Sequence, residues 1–224
     1  MEYTENAWTF AGENTTGFDN HVRQSVPLYD KFQEEITKMS CYFIQDYTNV
    51  IDVGTSTGNM IHSIKESNKR NADFIGIDIE YDMISECKKR YKDIEFHCMN
   101  AINFDFTNTS VITSMLALQF MSIEERKILL KKINNQLNEG GALFVVEKVR
   151  TPVPFIHDMY NDLYYDFKLQ SFTPEEVLLK NQSLRGVMNP LTVQEDIELF
   201  KEAGFTKIDI FLKIENFVGF VIIK

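Results

Sequence analysis

Two carboxylates and a run of small residues hold the first chemistry legible in the chain. In the stretch from Asn49 to Asn59, NVIDVGTSTGN, Asp52 is followed by Gly54, Thr55, Ser56, Thr57 and Gly58. β-Branched residues lead into Asp52, and the helical pattern from Met60 to Lys65 follows, so the stretch reads as strand, tight turn and helix. Glycine at 54 and 58 permits positive φ and lets a ligand lie against bare backbone, while the following helix offers unpaired N–H groups. A nucleotide-like ligand fits such a turn. Asp78 closes the next strand, 20 residues after Gly58, where a carboxylate can accept hydrogen bonds from ribose hydroxyls.

The turn departs from two common phosphate binders. A G-x-G-x-x-G fingerprint laid on Gly54 meets Ser56 and Asn59 at its later glycines, and no Gly-Lys-Ser/Thr follows for a P-loop. The pattern Asp-x-Gly-x-Ser-x-Gly instead resembles the first motif of the class I S-adenosylmethionine-dependent methyltransferase fold, with Ser56 at the middle glycine. By that resemblance Asn100, just past the third strand, stands where an Asp contacts the adenine amino group. The plain alternatives are a ligand-free turn, a helix cap at Asp78 and a loop amide at Asn100 that bonds its own backbone.

At 224 residues, 44% hydrophobic and 25% charged, the chain can bury one full core. A net charge of −10 disfavours direct nucleic-acid binding and points to a small-molecule or protein partner. Cys41, Cys87 and Cys98 are odd in number and widely spaced, which fits reduced thiols rather than a disulfide framework or a zinc site. His21, His62, His97 and His157 show no spacing suited to a metal. The acidic start MEYTE lacks the pattern of a secretory signal, and the uncharged run 106–123 is too polar for a membrane span. A cytoplasmic location is expected.

The elements that must position these residues follow in order. Residues 1–26 show no clear period and read as an arm or lid. From Pro27 to Tyr47 the spacing of Leu28, Phe32, Ile36, Met39 and Phe43 predicts an amphipathic helix. Strands and helices then alternate: helix 60–68, strand 73–78, helix 81–91, strand 94–98, strand 110–118, helix 123–137, strand 141–149 and helix 193–203. This repetition predicts a mainly parallel sheet with helices on both faces and the ligand at the carboxyl ends of the strands. Strands 207–214 and 216–223 are joined too closely to be parallel. A parallel sheet finished by such a hairpin resembles the Rossmann-like, seven-stranded methyltransferase fold, in one domain spanning 1–224. The aromatic-rich segment 151–190 reads as an insertion forming a lid, an acceptor pocket or a subunit interface.

Seven segments narrow the resemblance. Trp8-Thr9-Phe10, Ser25-Val26-Pro27-Leu28-Tyr29, Leu118-Gln119-Phe120, Leu137 to Leu143, Glu147-Lys148, Asp166-Phe167-Lys168 and Ala203-Gly204-Phe205 together resemble the carboxy-S-adenosylmethionine synthases. Those enzymes make a carboxylated cofactor used in tRNA wobble-uridine modification. The resemblance implies a homodimer that binds S-adenosyl-L-methionine or its carboxylated form. It places Tyr29, Gly54, Thr55, Ser56, Asp78, Ile79, Asn100 and Ala101 on cofactor-binding positions, beside Asp52 and Gly58 of the turn. It also implies two departures: Met115 stands at an asparagine of the family, and Asn181 at the arginine that grips the cofactor's carboxylate. An amide does not replace a bidentate guanidinium in strength. Arg23, Tyr165, Asn181 and Arg185 are the candidates for the substrate pocket.

Methyl transfer requires a nucleophile held in line with the sulfur–methyl bond and no particular catalytic side chain, so none is singled out. Carboxylation, which by resemblance draws CO₂ from prephenate, requires a cationic site. With the arginine lost, methyl transfer to a small-molecule or protein acceptor is placed slightly ahead of carboxy-S-adenosylmethionine synthesis. A non-catalytic, cofactor-binding dimeric partner of another enzyme is the third reading.

Overall fold

A computed structural model describes residues 14–224, and the side chains of Asn14 to Thr16 are outside that description. The arm residues 1–13, with Trp8 and Phe10, lie outside the described residues. The elements run α1 (Asn14–Ser25), α2 (Tyr29–Phe43), β1 (Thr48–Val53), α3 (Asn59–Ser67), β2 (Ala72–Asp78), α4 (Tyr81–Arg90) and β3 (Glu95–Cys98). They continue with a 3-10 turn (Ala101–Asn103), β4 (Thr109–Met115), a second 3-10 turn (Leu118–Phe120), α5 (Ile123–Gln136), β5 (Leu137–Lys148), α6 (Pro154–Lys168) and α7 (Pro174–Ser183). The chain closes with α8 (Val193–Glu202), β6 (Lys207–Ile214) and β7 (Phe217–Ile223).

The strands form one seven-stranded sheet in the order β3-β2-β1-β4-β5-β7-β6, parallel through β5 and antiparallel at β7 and β6. Because strand side chains alternate, each central strand feeds two cores. Ile51, Ile75, Ile112 and Val145 pack with Leu129, Ile133 and Phe200 on one face. Val50, Phe74, Val111 and Phe144 pack with Phe32, Ile36, Ile61 and Ile84 on the other. Order reversal at β1 and β4 leaves a crevice at their carboxyl ends, as doubly wound sheets require.

The elements differ from, or add to, the expected ones in three places. Residues 14–25 form a helix, although most of that stretch is polar; its tertiary packing against α2, α4 and α6 supplies what local periodicity lacks. Segment 151–190 contains two helices, each with proline in its first turn, and α7 is opened by a capping box between Thr173 and Glu176. β4 ends at Met115 rather than Leu118, and β5 begins early, at Leu137, where a register shift pairs it with Thr109. Among the described residues no helix is long and apolar enough to cross a membrane.

Candidate active site

Parallel pairing sets Asp52 of β1 opposite Thr113 of β4, whose hydroxyl donates to Asp52 Oδ1 at 2.6 Å. Burial pushes the Asp52 carboxyl up to about 6, against the pull of Thr113 and Thr55, and neighbouring Asp78 adds to the rise. Asp78 Oδ2 accepts the Ser56 N–H at 2.8 Å and Oδ1 accepts the Glu80 N–H at 3.0 Å. Burial raises the Asp78 carboxyl despite these bonds. The turn itself is fastened to β2, since the N–H groups of Gly54 and Thr55 both donate to the Ile77 carbonyl, at 2.8 and 2.9 Å.

Gly54 adopts φ 73°, and a Cβ there would lie 2.5 Å from Cβ of Ala117, so the backbone approach is open to glycine alone. Ser56 also adopts a left-handed conformation, φ 51°, while carrying a side chain. Its N–H is held by Asp78 and its carbonyl accepts from Cys87 Sγ at 2.9 Å. Burial pushes the Cys87 thiol up to about 12, keeping it a neutral donor.

Above this turn opens a cleft of about 480 Å³. Asp52, Gly54, Thr55, Ser56 and Asp78 line it, and so do Tyr29, Ile79, Asn100, Ala101 and Met115. Gly58 is outside the lining; it caps α3 at φ 81°, packed beneath the turn beside Cys87 and Tyr91. Asn100 spends one lone pair on the Ile102 N–H, at 2.9 Å, which is the loop-amide role, yet keeps a second acceptor direction.

The four substrate-pocket candidates are outside the lining of the cleft. Arg23 is exposed, with Nε 2.7 Å from Asp30. Asn181 Nδ2 donates to the Tyr165 hydroxyl at 3.1 Å, and Arg185 is exposed in the turn after α7. The residues that do line the cleft are their chain neighbours: Tyr164 and Lys168 on α6, Lys180 on α7 and Leu184 just beyond it. Helical residues advance about 100° each, so one step along the chain turns a side chain off the cleft. The i, i+4 spacing of Tyr164 with Lys168, and of Lys180 with Leu184, was the available signal.

These residues give the cleft two electrical ends. Burial lowers the Lys148 ammonium to about 8, with Lys168 adding repulsion, and lowers Lys180 to about 6 in the same way. Lys168 is lowered by burial too, and His21 on α1 by burial and then by both lysines. The acids sit at the ends of β1 and β2, whereas Lys148 ends β5 on the far side of β4. Backbone bonds fix that wall: the Lys148 N–H donates to Gln119 Oε1 at 2.8 Å, and the Asn189 N–H donates to the Gln119 carbonyl at 2.8 Å. Behind it the buried Arg126 donates to the carbonyls of Met121 at 3.2 Å and Asn189 at 2.5 Å.

α1 closes the mouth. Asp19 accepts the Thr57 hydroxyl at 2.5 Å and Arg90 Nη1 at 2.7 Å, tying this helix to the turn and to α4. These bonds outweigh burial and hold the Asp19 carboxyl below its ordinary value.

Residues 50–141 match the family model described as a methyltransferase domain. Among solved structures, an S-adenosylmethionine-dependent methyltransferase from Clostridium acetobutylicum superposes with a TM-score of 0.62 at 13% identity, over 92% of this chain and 95% of that one. The sheet order and the hairpin finish are therefore those of the Rossmann-like methyltransferase fold. The carboxy-S-adenosyl-L-methionine synthase of Trichodesmium erythraeum is 33% identical, over 97% of this chain and 88% of its own. That of Staphylococcus epidermidis is 40% identical over the full length of both. Identity of that extent, carried on the same fold and across both ends of the cleft, shows that the chain belongs to the carboxy-S-adenosyl-L-methionine synthase family.

Proposed function

We propose that the protein converts S-adenosyl-L-methionine into its carboxylated form, with prephenate as the source of CO₂: prephenate aromatises with loss of CO₂ and of its ring hydroxyl as hydroxide, the hydroxide takes one methyl proton as water, and the methyl carbon bonds the CO₂. One observation carries this choice over methyl transfer to an acceptor: the cleft has carboxylates at its nucleoside end and the side chains of Lys148 and Lys168 at its other end. Methyl transfer to a neutral acceptor has no use for buried cations, whereas a nascent carboxylate and an anionic co-substrate both do.

The residues present fit S-adenosylmethionine. Asp78 retains acceptor directions for the ribose diol beyond its two backbone bonds. The bare backbone at Gly54 admits close approach, and the negative potential of Asp52 suits a cationic ligand. Once bound, the cofactor supplies a sulfonium that activates the attached methyl group. The chain's own part is to orient that carbon toward the β5 end, to exclude water under α1 and to offset the charge of the carboxylate with lysine ammonium groups.

The proposal extends to assembly and use. α6 presents Phe155, Met159 and Leu163 at four-residue spacing, 77%, 40% and 44% exposed, a stripe that supports a homodimer. A cytoplasmic enzyme supplying the carboxylated cofactor to tRNA wobble-uridine modification has no need to bind RNA, which agrees with a net charge of −10.

The test is mass spectrometry of purified protein incubated with S-adenosylmethionine and prephenate. A product heavier than the cofactor by one CO₂, absent with Asp78→Ala, is expected. Demethylated cofactor appearing only with a cell extract as acceptor source would instead restore the methyltransferase reading, and absence of any turnover would leave the non-catalytic partner.

A further inference from the structure

Two lysines in the cleft are buried without an acid. Lys168 is 3% exposed, and Lys148 is half-buried at the end of β5. Among the described residues neither ammonium has a hydrogen bond or an ion pair, in a chain where Asp and Glu outnumber Lys and Arg by 33 to 23. Their contacts are aromatic faces. Lys148 Nζ lies 4.1 Å from the centroid of the Tyr164 ring and 6.0 Å from that of Phe217. Lys168 Nζ lies 5.6 Å from the same Tyr164 ring and 5.9 Å from Phe172. An aromatic face stabilises an ammonium without neutralising it, so the positive potential is left facing the cleft.

The support is rigid. Tyr164 packs on Phe217 with ring centroids 5.6 Å apart, and Phe217 pairs with Lys148 across β5 and β7. A buried like-charge pair costs stability unless an anion joins it. Asn181, at the position of the family's arginine, is instead engaged with Tyr165 outside the lining.

We propose that Lys148 and Lys168, braced on the Tyr164 ring, form the anion subsite that holds the carboxylate on the transferred carbon, the charge that Asn181 lacks. This rests on the carboxylating reading above. The same chemistry would suit the methionine carboxylate of the cofactor, and the experiment separates the two.

Calorimetric titration of S-adenosylmethionine and of carboxy-S-adenosylmethionine is carried out on the wild type, Lys148→Met, Lys168→Met, Lys168→Gln and Lys148→Arg. The methionine variants are expected to lose about tenfold to a hundredfold in affinity for the carboxylated ligand while affinity for S-adenosylmethionine stays within about threefold. Lys148→Arg is expected to retain most of the preference. Equal loss for both ligands assigns the lysines to the methionine carboxylate and overturns the proposal; unchanged affinity for both overturns it as well. If a methionine variant fails to fold, Lys168→Gln gives the same comparison. A wild type that forms no carboxylated product refutes the functional reading. A wild type that forms it, with variants that keep their preference, refutes the lysine assignment alone.

Discussion

Ser56 shows what a single side chain costs in this turn. It occupies a left-handed conformation at φ 51°, which disfavours a residue with a Cβ by about 1 kcal/mol or more. The backbone bonds that hold it, to Asp78 and from Cys87, would survive removal of the hydroxymethyl group. Ser56→Gly is therefore expected to raise the melting temperature by about 2–4 °C with cofactor affinity kept; calorimetric melting checks it, and a lower melting temperature would assign stability to the contact of Oγ with Met83. Asp52 supports a second expectation. Its carboxyl is held up to about 6 by burial, and a cationic ligand favours the ionised form. Binding must then expel a proton below that pH, so affinity for S-adenosylmethionine should fall as pH drops through about 6, approaching tenfold per pH unit. Titrations at intervals between about pH 5 and pH 8 test this, and Asp52→Asn should flatten the curve. The acid, its spacing and the turn were legible from residue types alone; the strain at Ser56 was not, because φ is set by bonds to Asp78 and Cys87, far along the chain.

At the scale of elements the helices over the cleft are the informative parts. Among the described residues, Asp19 of α1 makes one bond to the cofactor turn and one to α4. Asp19→Ala is expected to speed cofactor release by about tenfold and to raise hydrogen exchange across 14–25. Stopped-flow release and exchange measurements report this, and an unchanged release rate would show that α1 does not gate the site. The described part of segment 1–26, as α1, and segment 151–190, as α6 and α7, both contribute residues to the lining of the cleft. Tyr165 on α6, Asn181 on α7 and Arg185 just beyond it each sit one residue past the side chains that line the cleft. Periodicity fixes which residues share a face, but which face looks inward is decided by what the helix packs on.

Across the whole molecule an acidic chain, with a net charge of −10, encloses a cleft with a lysine-lined end. The exposed stripe of Phe155, Met159 and Leu163 is the other feature at this scale. The wild type is expected to run as a dimer in light scattering and the Met159→Glu/Leu163→Glu variant as a monomer; a monomeric wild type at micromolar concentration would refute the assembly. The sequence by itself determined the alternation of strands and helices, the antiparallel finish, the glycine-bearing turn and the acid at the end of β2, because each is a local pattern of period, spacing or connection length. The tertiary structure alone decided that residues 14–25 are helical, that Lys148, Lys168 and Lys180 converge, and that two of those ammonium groups meet an aromatic ring rather than an acid. Those outcomes depend on charges and rings brought together from β5, α6 and α7, and local pattern holds no information about which distant residue completes a contact.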